Sequence, residues 1–329
     1  MKIPIVNRKG GVAKSTTTIN LAAALAQAEE LRVASRGFRT LIIDMDPQAS
    51  TTYSLTLGKE DGGLNLGHIL MQGWHIEEVH RPTSTPNLHL IAACEELGDE
   101  DLFLQMGKGP QELLGQGEEN GNPGEDPLPL TRIPGFLTRL RDALTMLETP
   151  FDFVFFDCPP GIGLPMALAM IAGDRFIIPT KLERFALHGT GRLFSFIDRL
   201  IELRARSPEP MAAILGILLT DLNYQFVDAA EREQEIRGEY GTAVFDTVIR
   251  RNVTVERAQD SFRTIFQEDP RLRSTGAQGY RDLAAEVLLH AVAHGMVQPA
   301  DLSHDVLLRG HRLGLLADGA TTHARAAAR

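Results

Sequence analysis

Cysteine is nearly absent: the 329-residue chain has only Cys94 and Cys158, with no C-x-x-C spacing. That excludes a disulfide framework and a structural zinc site, and it fits a reducing cytoplasm. Long apolar runs are missing too, since none approaches the roughly 18 residues of a membrane helix. Excess positive charge is also missing. The net charge of −10 and pI of about 5.5 exclude a protein held on nucleic acid by its overall field, though not a local basic patch. No internal repeat is found, and no pair of histidines has metal-ligand spacing. A glycine-lysine motif begins near residue 7, which leaves no room ahead of it for an expected signal peptide.

What is present is a hydrophobic fraction of 43%, enough for the core of one large α/β domain or two small ones. Short apolar runs alternate with helix-period stretches. Lys2–Asn7, Thr40–Met45, Leu88–Ala92, Phe153–Asp157, Arg175–Pro179 and Ala213–Thr220 read as buried strands, with a further one around Ala243–Ile249. Ser15–Ala28, Phe136–Leu147, Leu187–Arg204 and Gly276–Ala293 read as helices. Buried strands separated by helices predict a mainly parallel central sheet flanked by helices on both faces. Pro4 has no amide hydrogen for a sheet ladder, so it is expected at the first paired position of its strand. Charges in 28–38 predict an extension of the first helix. The Gly-, Pro- and acid-rich segment 107–129 reads as a flexible surface insertion. The tail beyond His294 reads as peripheral.

The chemistry begins at "VNRKGGVAKSTTT", Val6–Thr18. Against the ordinary phosphate-loop pattern G-x-x-x-x-G-K-[ST], the two required glycines fall on Arg8 and Ala13. The context is nevertheless that of a phosphate loop, with a strand before it and a helix after it. Gly10 and Gly11 allow close approach of backbone to phosphate. Lys14 offers a point charge to β- and γ-phosphates, and Ser15 offers a hydroxyl to Mg²⁺. If Ala13 needs a positive φ, it costs about 1 kcal/mol or more. "TLIIDMDPQAS" and "FDFVFFDCPPGIG" are strands that end in acids, as expected beside a phosphate loop at the carboxyl edge of a sheet.

The extra lysine, Lys9, gives the loop the form x-K-G-G-x-x-K-[ST]. In this it resembles the deviant Walker A motif of the ParA/MinD ATPases, although alanine at 13 departs from the commoner glycine. D-M-D-P-Q and D-C-P-P resemble that family's next two signatures. "ALHGTGRL", "GILLTDLN", "VFDTVIRRNVTVERAQ" and "GAQGYRDLAAEVL" resemble its later segments. Motif order is closer to ParA/Soj partition ATPases than to MinD. The resemblance implies an ATPase domain over 1–294 and a C-terminal extension over 295–329. It implies that Gly10, Gly11, Val12, Ala13, Lys14, Ser15 and Thr16 wrap the phosphates of ATP, with Asn223 near the base. It implies Mg²⁺ held by Ser15 and Asp157, with support from Asp44, and water positioned by Asp46. Lys9 is then expected to reach the nucleotide of a second subunit. Cys158 reads as a buried structural thiol.

The implied function is a slow ATPase, cytoplasmic and nucleoid-associated. It would dimerise on ATP, bind double-stranded DNA without sequence preference, and leave when a ParB-type partner triggers hydrolysis. DNA contacts are expected from Arg199, Arg250, Arg251, Arg271 and Arg273. The family usually has proline at the position of Arg250, and Gln225 stands where many relatives carry a basic residue. Alternatives are ParA-like positioning of a protein cargo and a MinD-like membrane cycle. The latter needs an amphipathic C-terminal helix, for which His304–Gly319 is the candidate. Its few basic residues predict no stable membrane association.

Overall fold

A computed structural model describes residues 1–28, 31, 37–58, 63–98, 135–182, 213–221 and 229–316. From the N-terminus run β1 (Lys2–Ile5), α1 (Lys14–Gln27), β2 (Thr40–Asp44), α2 (Ser50–Leu55), α3 (Leu66–Gln72), α4 (Ile76–Val79), β3 (Arg81–Pro82) and β4 (Leu88–Ile91). They are followed by α5 (Gly135–Thr145), β5 (Phe153–Asp157), α6 (Leu164–Ala172), β6 (Arg175–Lys181) and β7 (Ala213–Thr220). The chain continues with α7 (Ala229–Tyr240), α8 (Val253–Asp260), α9 (Ile265–Glu268), α10 (Thr275–Ala293) and α11 (His304–Arg312).

The strands form one sheet in the order β3-β4-β2-β5-β1-β6-β7, parallel throughout except for β3 at one edge. Alternate residues of each strand feed opposite layers. Leu41, Ile43, Val154 and Phe156 pack under α3, α5 and α6. Ile42, Phe153, Phe155, Ile3 and Ile5 pack under α1, α10 and α11. Burial on both faces is why these strands read as continuous apolar runs. Helix starts are fixed by side chains. Asn252 accepts from the Thr254 amide, Ser274 from the Ala277 amide, and Thr264 forms a reciprocal cap with Gln267.

Four expectations need correction. The segment 243–249 is not a strand: a single bridge joins Val244 to Ile217. The amides of Phe245 and Ile249 reach β7 at the carbonyls of Ile217 and Leu219, and side chains take the polar groups between them. Glu286 accepts from the amides of Asp246 and Thr247, and Arg237 donates to the carbonyls of Phe245 and Asp246. Pro4 lies inside β1 rather than at its first paired position. Lys2 and Val6 direct their amides to the β6 side, so Pro4 between them faces that side as well. Pairing with β6 begins only at Ile5, so the missing amide costs no ladder bond. The proline ring is admitted by Gly173, where an added Cβ would lie 2.6 Å from it.

The first helix is not extended either. Ala28 leaves helical geometry, and the amide of Phe38 returns to the carbonyl of Leu25 at the helix end. The described part of the tail is not peripheral. Leu302, Val306 and Leu307 are buried in the core layer of α1 and α10, and Arg309 donates to Asp282 at 2.7 Å. The apolar face of α11 is thereby used inside the protein. No described helix is long and apolar enough to cross a membrane.

Candidate functional site

The loop between β1 and α1 emerges at the carboxyl edge of the sheet, and three other elements hold it in place. The Asn7 carboxamide donates to Pro179 of β6 at 2.7 Å and accepts from the Lys9 amide at 2.9 Å. The Gly161 amide, beyond β5, donates to the Arg8 carbonyl at 2.9 Å. Thr220 at the end of β7 donates its hydroxyl to the Val12 carbonyl at 3.2 Å. Gly11 and Ala13 both take left-handed backbone, with φ of 70° and 66°. This turns the chain so that α1 starts with free amides facing outward, a ready-made anion site.

Ala13 therefore sits where alanine is strained, at a cost of about 1–2 kcal/mol. Ala13→Gly is expected to stabilise the fold by about 0.5–1 kcal/mol, once the extra unfolded-state freedom of glycine is subtracted. The measurement is the denaturant midpoint. A variant no more stable than the parent would show that the loop absorbs the strain.

Lys14 is buried, and its ammonium donates to the Lys9 carbonyl at 3.1 Å. Burial pulls its pKa down, opposed by the charge of Asp157. Asp157 and Asp44 end adjacent strands in register and are both fully buried. Asp157 accepts from Thr51 at 2.7 Å and Thr18 at 3.3 Å, and also from the Ser15 hydroxyl. Asp44 accepts from the amide and hydroxyl of Thr52, both at 2.8 Å, and from the Asp46 amide at 3.1 Å. Burial, then the neighbouring Asp157 charge, raises the pKa of Asp44. Burial raises that of Asp157 against the hydrogen bonds from Thr51 and Ser15.

A pair of buried carboxylates with raised pKa values is relieved by a cation. The nearby donors, Ser15, Asp157 and Asp46, are all oxygens and suit a hard ion such as Mg²⁺. Among the described residues no cluster of three ligating side chains exists, so such an ion fits only if phosphate oxygens and water complete its shell. Asp44, expected in support of the metal shell, makes its hydrogen bonds within its own segment. Both its oxygens are committed to Thr52 and Asp46, which makes it a brace for the segment 44–52. Cys158 is buried, and burial keeps its thiol protonated.

A cavity of about 600 Å³ opens in front of these groups. Gly10, Gly11, Ala13, Lys14, Ser15 and Thr16 line it, together with Asp46. Val12 is buried behind the loop, and Lys9 is exposed at its rim. Arg250 and Arg251, read from the sequence as DNA contacts, also line this cavity. Arg271 and Arg273 are exposed beside the start of α10. Asn223 and Arg199 lie outside the described residues.

The structure adds residues with no sequence signal. Gln259 of α8 lines the cavity and donates to the Thr16 hydroxyl at 2.5 Å. Lys181 and Asp221, at the ends of β6 and β7, form a 2.8 Å ion pair on its wall. Thr51 and Thr52 are the partners of the two buried acids, and no spacing rule points to them.

The family described as AAA domain matches residues 1–121 and 124–207. The chromosome partitioning protein ParA of Myxococcus xanthus is 31% identical over 286 residues, 87% of this chain and 87% of that protein. The sporulation initiation inhibitor protein Soj of Bacillus subtilis is 30% identical over 287 residues, 87% of this chain and 97% of that protein. Among solved structures, a Cyanothece McdA in complex with ATP superposes with a TM-score of 0.64 at 18% identity, covering 91% of this chain and 98% of that one.

Proposed function

Since the chain belongs to the AAA-domain family, and within it to the ParA/Soj partition proteins, we propose that it is an ATPase that positions DNA through an ATP-driven cycle. One observation carries this reading. Lys14, Ser15 and Asp46 line one cavity at the carboxyl edge of the sheet, and Asp157 stands behind its wall, hydrogen-bonded to Ser15. ATP fits with its phosphates on the loop amides and on Lys14, and Mg²⁺ fits between Ser15, the Asp157 side and the phosphate oxygens. Asp46 then orients the attacking water. Such a site works by positioning and charge stabilisation.

In this proposal ATP closes two subunits face to face. Lys9, exposed at the rim, crosses to the partner's phosphates. The segments 44–52 and 157–161 act as switches, because Thr51 donates to Asp157, which in turn accepts from Ser15 and Thr18 at the start of α1. Turnover is slow until a ParB-type partner accelerates it. Packing of Val306 and Leu307 in the core speaks against the membrane-cycling alternative.

DNA binding is proposed to be local, cationic and dependent on ATP. A net charge of −10 repels DNA, so clustered arginines must supply the contacts. Arg271 and Arg273 are exposed and near each other in sequence, and dimerisation doubles their number. Replacing both by alanine is expected to lower the salt slope by about two per subunit and to weaken binding equally on unrelated duplexes. The experiment is a salt titration on two duplexes of different sequence, with ATP and with ADP. Equal affinity in both nucleotides, or a strong preference for one duplex, would overturn the proposal.

A further inference from the structure

Ser15, Thr16, Thr17 and Thr18 put a run of hydroxyls at the start of α1, and the fold uses them differently. Ser15 and Thr18 both donate to Asp157 behind the cavity wall. Thr18 also donates to the Lys14 carbonyl one turn back at 3.0 Å, the common use of a threonine inside a helix. Thr17 is buried beside Tyr280. Thr16 lines the cavity next to Ser15. The carbonyl one turn before it, that of Val12, takes the Thr220 hydroxyl instead. Among the described residues the Thr16 hydroxyl has one hydrogen-bond partner, and it is the acceptor there: Gln259 Nε2 donates to it at 2.5 Å.

Gln259 reaches Thr16 from a helix that is fixed at both ends. At its start, Asn252 caps α8 and donates to Thr275 at 2.8 Å. Beyond its end, the Ile265 amide of α9 donates to Asn20 Oδ1 at 2.8 Å. Asn20 stands one turn after Thr16 on the same stripe of α1, and its Nδ2 donates to the Thr16 carbonyl at 2.8 Å. Helices α8 and α9 therefore dock on one polar stripe of α1, with Gln259 at the phosphate-loop end. A hydroxyl carries a single proton. A donor seated on the Thr16 oxygen turns that proton away from α8, toward the cavity. Hydrogen bonds in series also polarise one another, so a hydroxyl that accepts from Gln259 is a stronger donor to the next acceptor. Phosphate oxygens are acceptors of that kind.

We infer that Gln259 is a positioning residue for the nucleotide: it fixes the Thr16 hydroxyl so that its proton is donated to a phosphate oxygen. The inference rests on the nucleotide reading of the cavity. Its direct consequence is that the contribution of Gln259 to nucleotide affinity passes through the hydroxyl of residue 16 and vanishes without it.

The test is calorimetric titration of the full chain with Mg-ATP. Gln259→Met, which keeps the length of the side chain and removes the donor, is placed on the parent, on Thr16→Ser and on Thr16→Val. Gln259 is exposed, so methionine leaves the core intact, and thermal melting checks that every variant folds. Expected is a loss of affinity of about three- to tenfold from Gln259→Met on the parent and on Thr16→Ser, which keeps the hydroxyl. On Thr16→Val the same change should cost less than about twofold. If Thr16→Val does not fold, Thr16→Ala takes its place. Parent-like affinity in Gln259→Met would overturn the inference. So would an equal loss on all three backgrounds, which would make Gln259 act on the ligand directly or through the placement of α8. Parent-like affinity in Thr16→Val would show that the hydroxyl meets no phosphate, and would overturn it too. A parent that does not bind Mg-ATP would remove the nucleotide reading itself, and the inference with it.

Discussion

Lys14→Ala is expected to abolish measurable ATP binding, with an affinity at least 100-fold weaker than that of the parent. The other cations on the cavity wall cannot replace it. Lys181 and Arg251 are paired with acids, and Arg250 stands at the far end. Lys14 is buried at the mouth of α1, where its charge meets phosphate with little screening by water. Hydrogen bonds to charged groups contribute about 1.5–3 kcal/mol each, and the ammonium can make two to β- and γ-oxygens. Loss of one such bond already approaches the 2.7 kcal/mol of a 100-fold change.

The fold itself should survive this substitution. Burial lowers the pKa of Lys14, so at neutral pH its charge works against folding rather than for it. Calorimetric titration with Mg-ATP reads the affinity, and circular dichroism reads the fold. A folded Lys14→Ala protein with the parent's affinity would show that the loop is not the phosphate site.

The sequence made the sheet legible because each buried strand is a short apolar run, and the site legible because its glycines, lysines and acids sit at strand ends. It failed where side chains take over the work of backbone. Glu286 and Arg237 bind the polar groups of 244–247, so an apolar stretch with strand composition makes one bridge and no ladder. Pro4 misled for the converse reason, since a ladder position without a partner needs no amide. The apolar face of α11 was readable as amphipathic, but sequence does not say whether such a face meets lipid or core. In this fold it meets core, at Val306 and Leu307. The arginines were ambiguous in the same way. Arg250 and Arg271 are both exposed arginines, yet only Arg250 lines the cavity. Long-range pairs such as Gln259 with Thr16 join residues 243 positions apart and leave no local pattern to read.

Asp46→Ala is expected to separate binding from turnover. Asp46 lines the cavity, whereas Asp44 and Asp157 are committed to hydrogen bonds behind its wall. Of the three strand-end acids it is therefore the one that can reach a water in front of the γ-phosphate. It sits one bond network away from the metal side: its amide donates to Asp44, and its carboxylate accepts from the Gln48 amide at 2.9 Å. Alanine keeps the backbone half of that arrangement. Affinity for Mg-ATP should stay within about threefold, because no phosphate contact is lost. Turnover should fall by about 10²–10⁴-fold, the usual contribution of a positioned base or water-orienting group. The variant would then accumulate in the ATP-bound state, and size analysis with ATP should show a persistent dimer where the parent slowly returns to monomer. Phosphate release measured alongside calorimetry distinguishes the outcomes. Parent-like hydrolysis would assign the water to another group, and loss of ATP affinity would make Asp46 part of the binding shell.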